Sequence, residues 1–236
     1  MQVFIPFKSQ FEPGTAGYIR QVIDLICEPG AVYELRCPKV IRHGTISGYY
    51  DDFDKLAEDA AALSGNVTTV YITLNPTDRR LLSRGWNECV NYAEVTTTDK
   101  EITKRRWMLI DVDSIRPAGI SSTDEEKELS LDLILRVREH METITDDVPI
   151  FADSGNGFHL LYPLADWAND EKSTAMIKNC LQALANRFNT DRVKVDTSVF
   201  NSVRLTKLYG TLTMKGRTPT PDRPHRFSKI LEVPAK

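Results

Sequence analysis

The stretch Arg105-Arg106-Trp107-Met108-Leu109-Ile110-Asp111-Val112-Asp113-Ser114 most narrows what this chain can fold into. Apart from Asp111, the run from Trp107 to Val112 is apolar, as in a buried strand, and it ends in two acids one residue apart. Side chains two apart on a strand point the same way, so Asp111 and Asp113 share a face. Two carboxylates on one face at a strand end repel each other unless a cation lies between them. Carboxylate oxygens are natural ligands of Mg²⁺ or Mn²⁺, ions that also bind phosphates. An Asp-x-Asp pair alone is a short motif and is more often two solvated loop acids. The segments after the strand decide between the two readings.

Beyond a loop, Ser122-x-x-Glu125 reads as a capping box. The helix it opens carries Leu129, Leu133, Val137 and Met141 at four-residue spacing. A short strand is expected over 149–152, then a tight turn, Ser154-Gly155-Asn156-Gly157, and a returning strand over 158–163. A second helix over 170–188 sets Ile177, Leu181, Leu184 and Phe188 on one face, and a fourth strand covers 193–198. This is strand-helix-strand-strand-helix-strand, the split βαβ or ferredoxin-like arrangement of an α+β protein. Right-handed crossovers order such an antiparallel sheet fourth, first, third, second. The first strand is then central, and its acidic end lies beside the starts of its two neighbours. Those starts carry His159 and Asp196.

The first hundred residues read as a smaller α/β lobe with no catalytic motif of its own. Ile19, Val22, Ile23 and Ile26 form a helical stripe stopped by Pro29-Gly30. Strands are expected over 32–37 and 45–50, then a helix with Phe53, Leu56, Ala60 and Leu63 on one side. Residues 67–74, rich in Val, Ile, Thr and Tyr, read as a strand closed by Asn75-Pro76. Arg79, Arg80 and Arg84 mark a basic, partly helical connection over 77–104.

Three acids around a pair of divalent ions are the equipment of phosphoryl transfer. Asp111, Asp113 and Asp196 are the candidate catalytic and metal-ligating set, with Asp153 and Asp191 as rivals for the third place. Ser154-Gly155-Asn156-Gly157 could bring backbone N–H groups close to a phosphate, although most such turns only close hairpins. His159 follows directly and is placed to bond a phosphate. Arg204 and Lys207 add two cations three residues apart. Weaker candidates for phosphate or template contact are Asn75, Arg223, His225 and Arg226.

The overall charge of −3 gives no general pull towards nucleic acid, but the charge is uneven. Residues 202–229 carry Arg204, Lys207, Lys215, Arg217, Arg223, Arg226 and Lys229 against Asp222 alone, a net of +6. Such a stretch can bind phosphates in an acidic chain, or simply be a solvated face. The four cysteines are scattered, with no Cys-x-x-Cys pair, so reduced thiols, a cytoplasmic location and no zinc site are expected. There is no apolar run of about 18 residues, so no membrane span is expected. The start, MQVFIPFKSQF, lacks the layout of a signal peptide.

Asp-Val-Asp at a strand end, Ser-Gly-Asn-Gly-Phe-His, and Val-Asp-Thr-Ser-Val-Phe-Asn-Ser-x-Arg-x-x-Lys-x-x-Gly resemble the three motifs of archaeo-eukaryotic-type primase-polymerases. The likeness is nearest to the versions carried by phages, plasmids, mobile elements and CRISPR loci. It extends to YITLNP at 71–76 and RPHR at 223–226. The resemblance implies an N-terminal α/β lobe over 1–104 and an RRM-like catalytic lobe with a basic C-terminal segment over 105–236, together one primase-polymerase domain. It implies primer synthesis and extension on a single-stranded DNA template from dNTPs or NTPs, with two Mg²⁺ or Mn²⁺ ions. Asp111, Asp113 and Asp196 match the family's metal acids and His159 its nucleotide-binding histidine. Ser154, Arg204 and Lys207 match positions that contact the incoming nucleotide. A fused or associated helicase or accessory primase domain is implied too, with residues 233–236 as the edge of an excised domain.

Two other classes of function compete. One is another palm-like metal enzyme, a nucleotidyl cyclase or a repair polymerase. The other is a non-catalytic RRM-like module, which would read bases with sheet aromatics rather than present acids. A replication-initiator nuclease would need a metal-binding His pair, and His159 has no nearby partner in sequence. If the three acids converge and repel, neutralising Asp111 or Asp113 should preserve or raise the metal-free melting temperature.

Overall fold

The computed structural model describes residues 3–216 and 218–235; Arg217 and Lys236 lie outside the described residues. The first half runs β1 (Phe4–Pro6), α1 (Ala16–Ile26), β2 (Tyr33–Val40), β3 (Gly44–Tyr50), α2 (Phe53–Leu63), β4 (Tyr71–Thr73) and β5 (Cys89–Val90). The second runs β6 (Arg105–Ser114), α3 (Asp124–Met141), β7 (Ile150–Asp153), β8 (Phe158–Trp167), α4 (Glu171–Phe188) and β9 (Val193–Val195). Four short strands follow: β10 (Leu205–Lys207), β11 (Leu212–Thr213), β12 (Arg226–Phe227) and β13 (Lys229–Pro234).

Each helix starts where a side chain can take up its free N–H groups. Thr15 caps α1, Asp52 caps α2 and Asp170 caps α4. Helix α3 begins one residue later than the Ser122-x-x-Glu125 box implies. Thr123 and Glu126 form the capping box instead. Ser122 is engaged elsewhere: its N–H donates to Asn156 Oδ1 and its carbonyl accepts from Arg226. The expected strand over 67–74 narrows to β4, because Val70 and Thr68 give their carbonyls to Leu208 and Met214. The fourth strand stops at Val195, where Asp196 Oδ1 accepts the N–H of Ser198 and turns the chain. Arg79–Arg84 is a 3₁₀ helix.

Two antiparallel sheets result. One has six strands in the order β1-β13-β7-β8-β6-β9, the other five in the order β10-β4-β2-β3-β5. Within the first, the strands of 105–195 lie fourth, first, third, second. Two short strands cross the 104/105 division: β1 pairs with β13, and β10 pairs with β4. That second exchange carries Lys207 onto the sheet of the first half.

Helices α3 and α4 cover one face of the six-stranded sheet, packing on β6, β8 and β9. Met108, Ile110 and Val112 of β6 are buried. Alternate residues face the other way. Trp107 donates its indole N–H to the Ile26 carbonyl of α1, so its face looks towards the first-half lobe. One continuous core includes Ile19, Leu35 and Ile72 of that lobe and Ile110, Leu160 and Val195 of the other. By the same alternation, Asp111 and Asp113 share the face of Trp107.

Candidate active site

Asp111, Asp113 and Asp196 line one cleft of about 220 Å³, with Ser114, Arg116, Lys194 and Lys215 also on its walls. Register explains the gathering. Asp111 pairs with His159 across β6–β8, and Asp113 pairs with Lys194 across β6–β9. The Asp196 N–H then donates to the Asp111 carbonyl at 2.8 Å, holding the third acid beside the first.

Each acid has a different partner. Asp111 Oδ1 lies 3.4 Å from His159 Nε2, and Nδ1 of the same buried ring is 2.7 Å from the Tyr209 hydroxyl. Burial pushes the Asp111 carboxyl up, but His159, Lys215 and Lys207 together hold it below its ordinary value. Asp113 is taken by Arg116, whose Nη1 and Nη2 donate to its two oxygens at 2.5 and 2.9 Å. Lys215 Nζ approaches the same carboxylate at 3.7 Å.

Arg116, Lys194 and Lys215 are the cations on the walls of this cleft, and Lys207 acts on Asp111 and Asp113 from outside its lining. Lys207 is buried, with Nζ 4.8 Å over the Tyr71 ring and 3.4 Å from both Thr69 Oγ1 and the Tyr71 hydroxyl. Burial pulls its pKa from 10.5 down to about 8, against the pull of Asp111 and Asp113. Burial likewise lowers Lys215, opposed by Asp113. Desolvated ammonium groups beside carboxylates are strong potential phosphate contacts.

The other candidates lie elsewhere or are committed. The N–H groups of Ser154, Gly155 and Gly157 are bonded within their own turn, to Gly157 O, Asp153 Oδ1 and Ser154 Oγ. Gly157 needs its missing Cβ for a different purpose, since that atom would stand 2.2 Å from the Val112 carbonyl. Asn156 accepts from Ser122. The turn is thus a buried structural hairpin, and a phosphate cradle at these N–H groups is not what the structure shows. Asp153 is held by Lys127 at 2.5 Å, and Asp191 is exposed. Arg204 donates to Ser198 O and Asn201 Oδ1.

Asn75 joins the lobes: its amide donates to Ser202 O, and its oxygen accepts the N–H of Arg106. Arg223 forks onto Glu126, and Arg226 reaches Asp124 and Ser122 O, so both clamp the first turn of α3. His225 lines a separate cleft of about 490 Å³ with His43 and Met214. Arg116, Lys194 and Lys215 were not singled out from the sequence. The signals available were Asp-x-x-Arg at 113–116 and the basic count over 202–229.

Among the described residues, no group of three or more His, Cys, Asp or Glu side chains stands ready to hold a metal ion. Three carboxylates line the one cleft, the donor type that a hard divalent cation takes, and Asp113 among them is paired with Arg116.

Fold and cleft together define a mixed α+β protein of antiparallel sheets with an acid-and-lysine site at the end of β6. Among solved structures, the chain is similar to the primase RepB', with a TM-score of 0.50 and 12% identity. That match covers 91% of this chain and 55% of that one, so the chain spans little more than half of RepB'. It is also similar to the polymerase domain of Mycobacterium tuberculosis Ligase D in complex with DNA, with a TM-score of 0.47 and 16% identity over 89% of this chain and 79% of that one. No family model and no curated protein matches the sequence. Among the described residues, no helix is long and apolar enough to cross a membrane.

Proposed function

We propose that this chain is the nucleotidyl-transfer module of a primase-polymerase, making and extending primers on single-stranded DNA. The observation that carries this reading is the convergence of Asp111, Asp113, Asp196, His159, Lys207 and Lys215 around the end of one strand. Likeness of fold to the primase RepB' supports it. In this reading the strands of 105–195 are an RRM-like catalytic lobe and residues 1–104 its N-terminal partner. A helicase or accessory primase domain, fused or associated, would complete the system, which would work in the cytoplasm.

Asp111, Asp113 and Asp196 would hold Mg²⁺ or Mn²⁺, which supplies activation of the attacking hydroxyl and neutralises charge on the leaving group. His159 and the two lysines would bind and orient the triphosphate of a dNTP or NTP. Their charges sit in a partly water-excluded cleft, where they act more strongly than in water. The turn at 154–157 would act indirectly, by fixing the start of β8 and hence His159.

The test is incorporation on unprimed and primed single-stranded template, with dNTPs or NTPs, in Mg²⁺ or Mn²⁺. Product that disappears in Asp111→Asn is expected. No product under any of these conditions overturns the reading.

A further inference from the structure

Asp113, one of the three candidate metal ligands, is already held by a cation of the protein's own. Arg116 grips both carboxylate oxygens, at 2.5 and 2.9 Å, in the two-pronged geometry that suits a guanidinium. The same side chain donates to Ser114 Oγ at 2.7 Å and to Ser114 O and Ile120 O at 3.2 Å each. It is only 5% exposed. Through Ile120 it fastens the 115–121 loop, and Pro117, Ala118, Gly119 and Ile120 form one wall of the acid cleft. The Gly119 carbonyl lies near Gly216, where a Cβ would stand 3.1 Å from it, on the segment that carries Lys215.

A guanidinium forked onto both oxygens and a divalent ion chelated by both compete for the same inward-facing lone pairs. We propose that Arg116 is a placeholder cation, a positioning residue that holds Asp113 until a divalent ion takes the carboxylate. The proposal rests on the reading of the three acids as metal ligands. It goes further in assigning the loop a linked movement, because the guanidinium that grips Asp113 also holds Ile120 O through Nε and Ser114 through Nη1. The resting site is charge-balanced without metal. Chelation of an ion by Asp113 competes with the Asp113–Arg116 pair, so the free protein binds the ion more weakly than its acids alone would allow.

General electrostatics gives a competing account, since removal of any nearby positive charge favours a bound cation. Lys194 controls for this: it lines the cleft but has no grip on Asp113. Mn²⁺ binding is measured without nucleotide, from the paramagnetic resonance signal of the free ion. The proteins compared are wild type, Arg116→Gln and Lys194→Gln.

Arg116→Gln is expected to bind Mn²⁺ roughly tenfold or more tightly than wild type, with a clearly smaller gain in Lys194→Gln. Equal gains, or no gain in Arg116→Gln while wild type binds the ion, overturn the placeholder role and leave the metal reading standing. Absence of Mn²⁺ binding in all three proteins overturns the metal reading itself. Hydrogen exchange of the 115–121 segment in the wild-type chain is a second measure and needs no variant. Faster exchange with Mn²⁺ bound is expected, and unchanged protection with the ion bound overturns the linked movement.

Discussion

Asp111 and His159 face each other across the β6–β8 ladder, carboxylate to imidazole at 3.4 Å. Behind the ring stands Tyr209, its hydroxyl 2.7 Å from Nδ1. Burial pushes that hydroxyl's pKa up, so it stays protonated. The bond between Tyr209 and Nδ1 fixes the ring and leaves Nε2 facing Asp111. In the proposed function that nitrogen would meet a phosphate oxygen.

His159→Ala should therefore weaken nucleotide binding by about ten- to a hundredfold, the loss of one charge-assisted contact of roughly 1.5–3 kcal/mol. Tyr209→Phe, which keeps the ring and removes only the orienting hydroxyl, should give a smaller loss. Titration with a fluorescent nucleotide measures both, beside single-stranded DNA binding, which should survive. Unaltered nucleotide affinity in His159→Ala would return the residue to a structural pair with Asp111.

Neutralising the two acids of β6 should have unequal effects. The sequence leads one to expect mutual repulsion and relief on mutation, yet Asp113 lies in the fork of a nearly buried Arg116. Asp113→Asn leaves that guanidinium half-satisfied and should lower metal-free stability by about 1–3 kcal/mol. Asp111→Asn, facing an imidazole at longer range, should lower it less. Metal-free melting curves decide the matter. A melting temperature for Asp113→Asn at or above wild type contradicts the pairing.

What could be read from the sequence was what strand periodicity controls. Alternation put Asp111 and Asp113 on one face, and crossover handedness put His159 and Asp196 at the same sheet end. Contacts formed by chain segments far apart were hidden. Arg223 meets Glu126 across 97 residues, and Asn75 meets Ser202 across 127. Nothing local in the sequence distinguishes such a clamp from a free phosphate ligand. The three-residue β1 and β10 are equally silent, since strands so short have no period to read. The Gly-Asn-Gly turn misled for a related reason: close approach by a phosphate and by the Val112 carbonyl both require a missing Cβ.

Arg223 and Arg226 can be tested as clamps. Arg223→Ala and Arg226→Ala should each lower the melting temperature, because the first turn of α3 loses its cationic partners at Glu126 and Asp124. Neither should change the salt dependence of single-stranded DNA binding, whose slope counts phosphate contacts. A shallower slope with an unchanged melting temperature would make them DNA ligands instead.

Lys207 gives the molecule a pH signature. In the unfolded chain its ammonium has the ordinary value of 10.5, and in the folded protein burial lowers it to about 8. Below about pH 8 both states are protonated, and the full penalty for burying the charge is present. Between about 8 and 10.5 the unfolded chain binds more protons than the folded one, so this residue makes stability rise with pH. The gap corresponds to roughly 3 kcal/mol at most. Nucleotide binding should move the opposite way, since a triphosphate needs the charged form: affinity should fall as pH rises through about 8. Lys207→Met removes this residue's share of both trends and leaves that of Lys215, which burial also lowers. Relative to wild type it should be more stable at pH 7, with the difference closing by pH 10, and its nucleotide affinity should be weaker and fall less steeply across that range. Melting curves and nucleotide titrations at matched pH values measure the two together. If wild type and Lys207→Met show parallel stability profiles from pH 7 to 10, the buried ammonium is not the group that titrates there.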